Sequence, residues 1–489
     1  MRRSDLAAGA AGALCALLAT AGALAAQGGG ATRAGAGPRD CSVDIQGVKV
    51  DGVLTSHGQS FGTPSGQHNV FYGGGFDAKC AGTDQRIRSD SAEQYGDEKR
   101  LILIGNVHYT EVRMKLDSDR MTYYTGEERL VSEGNVHGLT STGTRFSGPR
   151  AEYLRAARGI RDRSRLTADS RPDVWLSPQD AGPGTKDSTN LQADIVITEN
   201  DSLVYAKGKV VIERPDLRST SDSAFMDNGK ELVRLVYSPK IVGRGDRHFT
   251  LEGDVIDIFS LKRKVQRVKS AGRAHGVSDD VVMTADTIDL RITDDQLSRA
   301  FAWGSSLSRA KSKEQDLTAD SIDVLMPGQV LREMRAIRRA MAESAVDTAK
   351  IASKDPDRLK GDSIFALFDS VAAGDTTHQP AVRQIIVFGG ALPASSYYQV
   401  APSQASKAAT PNINYVTGRL ITVDFKEHKV ETVTVAGQGS GFYLEAQSDS
   451  VRTASAADSS AKKPSPAASK APPPVKKPPA AAPLRASRS

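Results

Sequence analysis

Leu101-Ile102-Leu103-Ile104-Gly105-Asn106-Val107-His108 returns as Leu130-Val131-Ser132-Glu133-Gly134-Asn135-Val136-His137, 29 residues later. Further along, a second phrase recurs: Ser221-Asp222-Ser223, Gly253-Asp254-Val255, Ala285-Asp286-Thr287, Ala319-Asp320-Ser321 and Gly361-Asp362-Ser363. Successive aspartates are 32, 32, 34 and 42 residues apart. A fixed period of about 30 residues is the mark of one supersecondary unit stacked many times, and about ten units fit between Ile87 and Leu444. Function is therefore to be sought along a repeated surface before any compact pocket.

The unit reads as β-structure. After the Asp phrases, Ile288, Leu290 and Ile292 alternate with Asp289 and Arg291, and Ile322, Val324 and Met326 alternate with Asp323 and Leu325. Ile364, Ala366 and Phe368 keep the parity, although Phe365 and Leu367 make that run apolar on both sides. Period two places one set on the inner face and the other outside. Asp289 and Asp323 are thus expected to meet water. The recurring Asp suits a turn, where its carboxylate accepts from backbone N–H groups two residues on, so each repeat is expected to hold one hairpin. Gly418 to Phe425 carries the pattern with the turn shifted by one residue. One stretch conflicts with the pattern. Gln329 to Ser353 is rich in helix formers, yet Met334 to Ala340 aligns with Val268 to Ala274. The alignment favours strand through about Glu343, with Ser344 to Arg358 an insertion with room for one or two helical turns.

The ends are different in kind. Arg2 and Arg3 precede the weakly apolar run Leu6 to Leu24, and Ala23-Leu24-Ala25 offers a cleavage site. This reads as a secretory signal over residues 1–25, with an uncleaved anchor as the other reading. Cys15 follows Leu14, which does not suit lipidation. Thr453 to Ser489 holds 8 prolines among its 37 residues and cannot bury a core. That tail carries a net +6 and the first 25 residues +1, against +6 for the whole chain, so residues 26–452 carry −1. The basic character belongs to the tail, and a nucleic-acid partner for the body loses its support. Beyond the signal, Cys41 and Cys80 are an even pair in a secreted chain, which suggests one disulfide, worth about 3–4 kcal/mol for a loop of that length.

Catalytic and metal motifs were weighed and set aside. His108 and His137 are copies made by the repeat. Asp117-Ser118-Asp119 lacks the Gly and Glu of a calcium loop, and Gly182 to Lys186 lacks phosphate-loop spacing. No Gly-x-Ser-x-Gly elbow occurs. The expectation is a non-enzyme with no cofactor and no metal. Its candidate working surface is the inner face: Ile288, Leu290, Ile292, Ile322, Val324, Met326, Ile364 and Phe368. Laid in such a trough, a lipid chain gains about 0.8 kcal/mol per buried methylene. The same residues could equally fill a dry core, as in a secreted structural or adhesive β-solenoid.

The repeat resembles the OstA-like/LptA-like periplasmic domain of lipopolysaccharide transport, also called the organic-solvent-tolerance N-terminal domain. The residues that carry it are Asp90 to Tyr95 followed by Leu101 to Val107, and Asp119 to Tyr124 followed by Leu130 to Val136. Ala193-Asp194-Ile195 and Leu203 to Val210 continue it. The resemblance covers residues 86–446, after a Gly-rich leading region (26–85) and before the tail (447–489). It implies an all-β fold: an elongated antiparallel β-jellyroll, a folded-over sheet of stacked hairpin repeats with an open apolar groove for lipid A acyl chains. It also implies a periplasmic setting, outer-membrane association, and partners of like fold at both membranes. Head-to-tail self-association would follow if Leu101 to Tyr109 and Phe442 to Glu445 lie near open sheet edges. The chain departs from the family in its length and in its Pro/Lys tail.

Overall fold

A computed structural model describes residues 43–46, 49–50, 53–80, 83–157, 159–176, 189–200, 202–244, 249–261, 264–278, 281–294, 296–313, 315–369, 380–402, 409–426 and 429–446. The signal, Cys41, Gly182 to Lys186 and the Pro-rich tail lie outside them. Nearly all the described strands join one antiparallel sheet; Lys49–Val50 and Val53–Leu54 form a separate hairpin. A 3-10 turn, Pro327–Gln329, is the helical element among the described residues. No helix among them is long and apolar enough to cross a membrane.

The sheet is folded lengthwise into two walls. Long strands run through both. In Leu217–Asp227, the first half (Leu217 to Thr220) pairs with Lys240–Gly243, and the second half (Ser223 to Asp227) pairs with Leu232–Val236. Lys264–Ser278 behaves likewise: Lys264 to Ala271 pairs with Val255–Leu261, and His275 to Ser278 with Phe249–Glu252. Each wall stacks roughly 20 rows at about 4.8 Å, a length of about 100 Å. Between the walls, the inward residues of every repeat merge into one core, from Phe76 to Val423.

The recurring Asp sits at the fold line. It does not make a reverse turn, as the sequence suggested, but lies where a continuous strand bends. The register slips there, between Asp117 and Arg120, Glu133 and Val136, Lys207 and Val210, and Ala271 and Ala274. Such bulges bend a strand without ending it. On one strand of each pair stands the Asp; on the next, two residues take left-handed conformations. These are Gly105-Asn106 (φ 77° and 44°), Gly134-Asn135 (75° and 44°), Gly208-Lys209 (79° and 47°) and Gly272-Arg273 (77° and 50°). The carboxylate then accepts from the next strand: Asn106 Nδ2 donates to Asp90 at 2.9 Å and Asn135 Nδ2 to Asp119 at 2.8 Å. Arg273 serves Asp254, Arg339 serves Asp320, and the Ser305 N–H donates to Asp286 at 2.6 Å. These donors from Ser305 and Ser306 hold the Asp286 carboxyl well below its usual range. In the last repeat Arg419 takes the Asp position, its N–H donating to Gly437 O at 2.9 Å.

Three further expectations meet the coordinates here. Glu333–Ser344 is a strand despite its helix-forming composition, because Ala336 and Ala340 are wholly buried between the walls. Tertiary burial overrides propensity. The insertion after it is not helical; it makes a turn and a bridge from Ile351 to Ala409 before the strand Asp357–Phe368 begins. Of the Gly-rich leading region, Val43–Gln46 and the strands from His57 to Cys80 belong to the same sheet. His68–Gly73 and Phe76–Cys80 pair onto the repeats, and Phe76 and Ala78 enter the core. Leu101 to Tyr109 is therefore interior to the sheet and not near an edge, since Arg100–Thr110 is paired on both sides. Among the described residues, the outermost strands at that end are Val43–Gln46 and His57–Gly62. At the other end, among the described residues, Ser440–Leu444 pairs only with Asn412–Gly418, and Lys429–Ala436 only with Leu420–Lys426, so Phe442 to Leu444 does lie at an edge.

A Cβ on Gly134 would fall 2.5 Å from Asp119 Oδ2, at a φ that side chains rarely adopt. Gly134→Ala is expected to lower the stability by about 1–3 kcal/mol in urea unfolding. Gly229→Ala, in an exposed turn whose nearest neighbour is 3.4 Å away, should change it by less than about 0.5 kcal/mol.

Candidate functional site

The inner face runs from the fold line, where the Asp ladder lies, to the opposite margin, where the hairpin turns of both walls approach each other. Seven of the eight expected inner residues lie in the core or pack against it, and their exposure depends on depth. Next to the fold line, Ile288, Ile322 and Ile364 are 1%, 0% and 4% exposed, and Val324 is 5%. Nearer the margin, Leu290, Ile292 and Met326 are partly exposed and pack against the core from its rim. Phe368 lies beyond a register slip that follows Leu367, is partly exposed and stands outside the core cluster.

The two halves of the roll close differently. In the first half, residues near the margin are buried: Tyr123, Met226 and Ile258 on the first wall, Tyr109, Met114 and Leu217 on the second. Tyr72, Leu101, Leu176, Val233 and Phe249 are the partly buried exceptions among the described residues of that half. From Leu290 onward the rim opens, with Ile292, Met326, Leu331 and Met334 partly exposed on the first wall and Met283 and Leu359 on the second. The inner face there is also rich in small residues, among them Ala285, Ala300, Ala302, Ala319, Ala336 and Ala340. The interior is thus a filled core next to the fold line and, in the second half, a core whose apolar rim is reachable from solvent.

A clasp that sequence reasoning missed holds the margin shut in the first half. Glu111, in a turn of the second wall, reaches Tyr153 and Arg155 of the first. Tyr153 Oη donates to Glu111 Oε1 at 2.6 Å, Tyr109 Oη to Oε2 at 2.9 Å, and Arg155 Nε to Oε2 at 2.9 Å. Arg155 Nη1 donates to Glu128 Oε2 at 2.5 Å, and Tyr123 Oη donates to the same oxygen at 2.7 Å. The Arg155, Glu111 and Glu128 side chains are 20%, 13% and 16% exposed. Burial opposes the charge on Arg155, but Tyr109, Glu111, Tyr123 and Glu128 together hold its pKa above the ordinary value. Burial, then Glu128, pushes the Tyr123 hydroxyl up to about 12. Burial and Glu111 raise Tyr109 well above its ordinary value. The only sequence signal was the spacing of polar tips on otherwise apolar strand ends, which has no meaning until the walls face each other.

Outside, Asp289 and Asp323 depart from expectation. Both are on the outer face, yet Asp289 is buried at 4% exposure and the Asp323 side chain is only 12% exposed. A row of ion pairs covers them. Arg267 Nη2 lies 2.7 Å from Asp289, Arg299 Nε 2.7 Å from Asp323, and Arg234 Nε 2.7 Å from Asp257. Arg267, Arg299 and Arg335 also lie over Phe259, Phe301 and Phe365. Arginine stems and aromatic rings roof the carboxylates on a flat sheet.

His108 Nδ1 meets Asp117 at 2.5 Å on the outer face of the second wall. Among the described residues no group of three or more His, Cys, Asp or Glu side chains could hold a metal ion. Cys80 is disulfide-bonded; Cys41 lies outside the described residues.

No protein-family model matches the sequence, and no curated protein matches it. Among solved structures, this chain is similar to LptH, the LptA-homologous periplasmic component of the lipopolysaccharide transport device from Pseudomonas aeruginosa. The likeness covers 40% of this chain and 96% of that one, at 14% identity and a TM-score of 0.13. An overlap so slight carries no argument about fold or function.

Arg155→Met leaves two carboxylates beside three buried tyrosines. Urea unfolding should show a loss of up to about 3–5 kcal/mol, as when one partner of a buried ion pair is removed. Tyr109 and Tyr123 have raised pKa values in the fold and ionise near 10 once unfolded. The stability they confer is complete below about pH 10 and is lost as the pH rises towards 12. Tyrosinate absorbance should accordingly show a late phase that coincides with unfolding; titration of all tyrosines near pH 10 with the fold intact would contradict the clasp.

Proposed function

We propose that the roll binds the acyl chains of a lipid in its interior and serves, in the periplasm, as a carrier of lipopolysaccharide towards the outer membrane. The observation that carries this reading is the gradient of exposure in the second half, from wholly buried at Ile322 to partly exposed at Met326, Leu331 and Met334. An apolar rim along a two-walled roll lets a chain slide in sideways while the fold line stays shut. The fixed hydrogen bonding of the fold line favours a hinge there, and the small residues beside it leave space when the rim parts. The repeat phrases that resemble the OstA-like/LptA-like domain point the same way.

Two further features support a place in a transport path. The edge at Ser440–Leu444 exposes Phe442, Tyr443 and Leu444 by 54%, 50% and 52%. Unpaired backbone groups beside apolar side chains invite a strand from a module of like fold or from a second copy. The net charge of −1 on residues 26–452 leaves nucleic acid a poor partner. A second reading, a structural or adhesive β-solenoid, is favoured by the filled first half, whose interior offers no surface to a ligand.

Photo-crosslinking separates the two. A photoreactive residue at Leu290 or Met326 is expected to crosslink to lipopolysaccharide, and one at Lys207, on the outer face, is not. Leu290→Asp, at a partly exposed site the fold tolerates, should abolish the crosslink at Met326. Ile322→Asp buries an unpaired charge at a cost of several kcal/mol and should impair folding as well. Asp323→Lys is no neutral control, because it would set a cation against Arg299. A folded protein that crosslinks nowhere along the rim would leave the structural reading standing.

A further inference from the structure

The outer face of the second wall carries a hollow of about 550 Å³ that neither the core nor the clasp uses. Register builds it. Lys115 stands opposite Leu139, Leu139 opposite Arg145, and Arg145 opposite Trp175, so these four side chains form one row across four strands. Three steps of about 4.8 Å make the row about 14 Å long. His137 lies in the adjacent row, opposite Asp117. Trp175 is 41% exposed and Leu139 38%, which is unusual for large apolar residues in one row of a face of ion pairs.

Charge sets the hollow apart. Asp117, the one carboxylate among the described residues that line it, is engaged by His108. Among the described residues no carboxylate pairs with Lys115, His137 or Arg145. Two other outer-face arginines are paired: Arg86 with Asp77 and Arg150 with Asp169. Lys115 and Arg145 therefore present free donors on either side of Leu139, with an indole at the end of the row. A guanidinium and an ammonium recognise phosphate or carboxylate oxygens. An exposed indole offers a flat apolar surface with a polar tip. A ligand that satisfies both is an anion with an apolar ring face, and the length of the row admits more than one ring.

We propose that this hollow binds a saccharide bearing phosphate or carboxylate groups. The site is on the outer wall, apart from the lipid-lined interior, and it stands whether or not that interior carries lipid. Trp175 and Trp303 are the chain's two tryptophans, so the full chain carrying Trp303→Phe reports on Trp175 alone. Its emission would be titrated with glucose 1-phosphate, trigalacturonate, maltotriose and inorganic phosphate. A saturable change is expected with glucose 1-phosphate or with trigalacturonate; whichever of the two binds tells phosphate from carboxylate. Arg145→Met and Lys115→Met, both surface changes, should each weaken binding about tenfold, as expected for loss of a charge-assisted hydrogen bond. Maltotriose binding as tightly as the charged sugars, inorganic phosphate matching glucose 1-phosphate, or a response that survives Arg145→Met would each overturn the proposal. So would the absence of any saturable change.

Discussion

Everything in this fold hangs on the bend at the fold line. A sheet of such length has to bury one face, and with no α-helix among the described residues to cover it the sheet covers itself. Each long strand must turn sharply without giving up its neighbours. The chain solves this with a bulge, a pair of left-handed residues on one strand, and an aspartate on the strand beside it. The carboxylate replaces the ladder bonds that the bulge interrupts, accepting from Asn106, Asn135, Arg273, Ser305 or Arg339 as the repeat varies. Because the fold line is exposed, the charge keeps its hydration and the arrangement costs little desolvation. The donor changes from repeat to repeat, while the acceptor persists until Arg419 ends the series.

The opposite margin is where the repeats stop being equivalent. Glu111, Arg155 and Glu128, with three tyrosines, tie the walls together in the first half. In the second half the rim is Met, Leu and Ile, with no comparable tie among the described residues. A buried ionic clasp contributes modestly to stability but fixes one geometry, whereas an apolar rim is soft and indifferent to exact spacing. One roll thus combines a rigid closed section with a section able to part. The row of Arg–Asp pairs on the outer face stiffens the wall of that second section without closing its rim.

The periodicity of the sequence was enough to announce strands, a folded-over antiparallel sheet and the parity of Ile288, Ile322, Val324 and Ile364. Period-two alternation is a local property and survives any packing. It was also enough to identify Glu333–Ser344 as a strand against its composition, since alignment to a neighbouring repeat outweighs intrinsic propensity. The small-Asp-small phrase was legible as a recurring structural device, but not as the hinge of a bend, because its hydrogen-bond partners lie a full strand away.

What only the tertiary structure decided follows from contacts between residues distant in sequence. Asp289 and Asp323 have the right parity for the outer face, yet Arg267 and Arg299 from neighbouring strands cover them. Leu101 to Tyr109 has the look of a terminal unit, yet the leading region adds strands beyond it. Phe368 keeps the alternation, yet beside a register slip of the neighbouring strand it stands partly exposed and outside the core cluster. The clasp is invisible in the chain because Glu111 and Arg155 meet only across two walls. By itself, then, the sequence determined the repeat, the strand faces and the identity of the core. The depth of each core residue, and which margin is locked and which left open, depend on how the walls meet, since burial and pairing are set by neighbours that local periodicity does not encode.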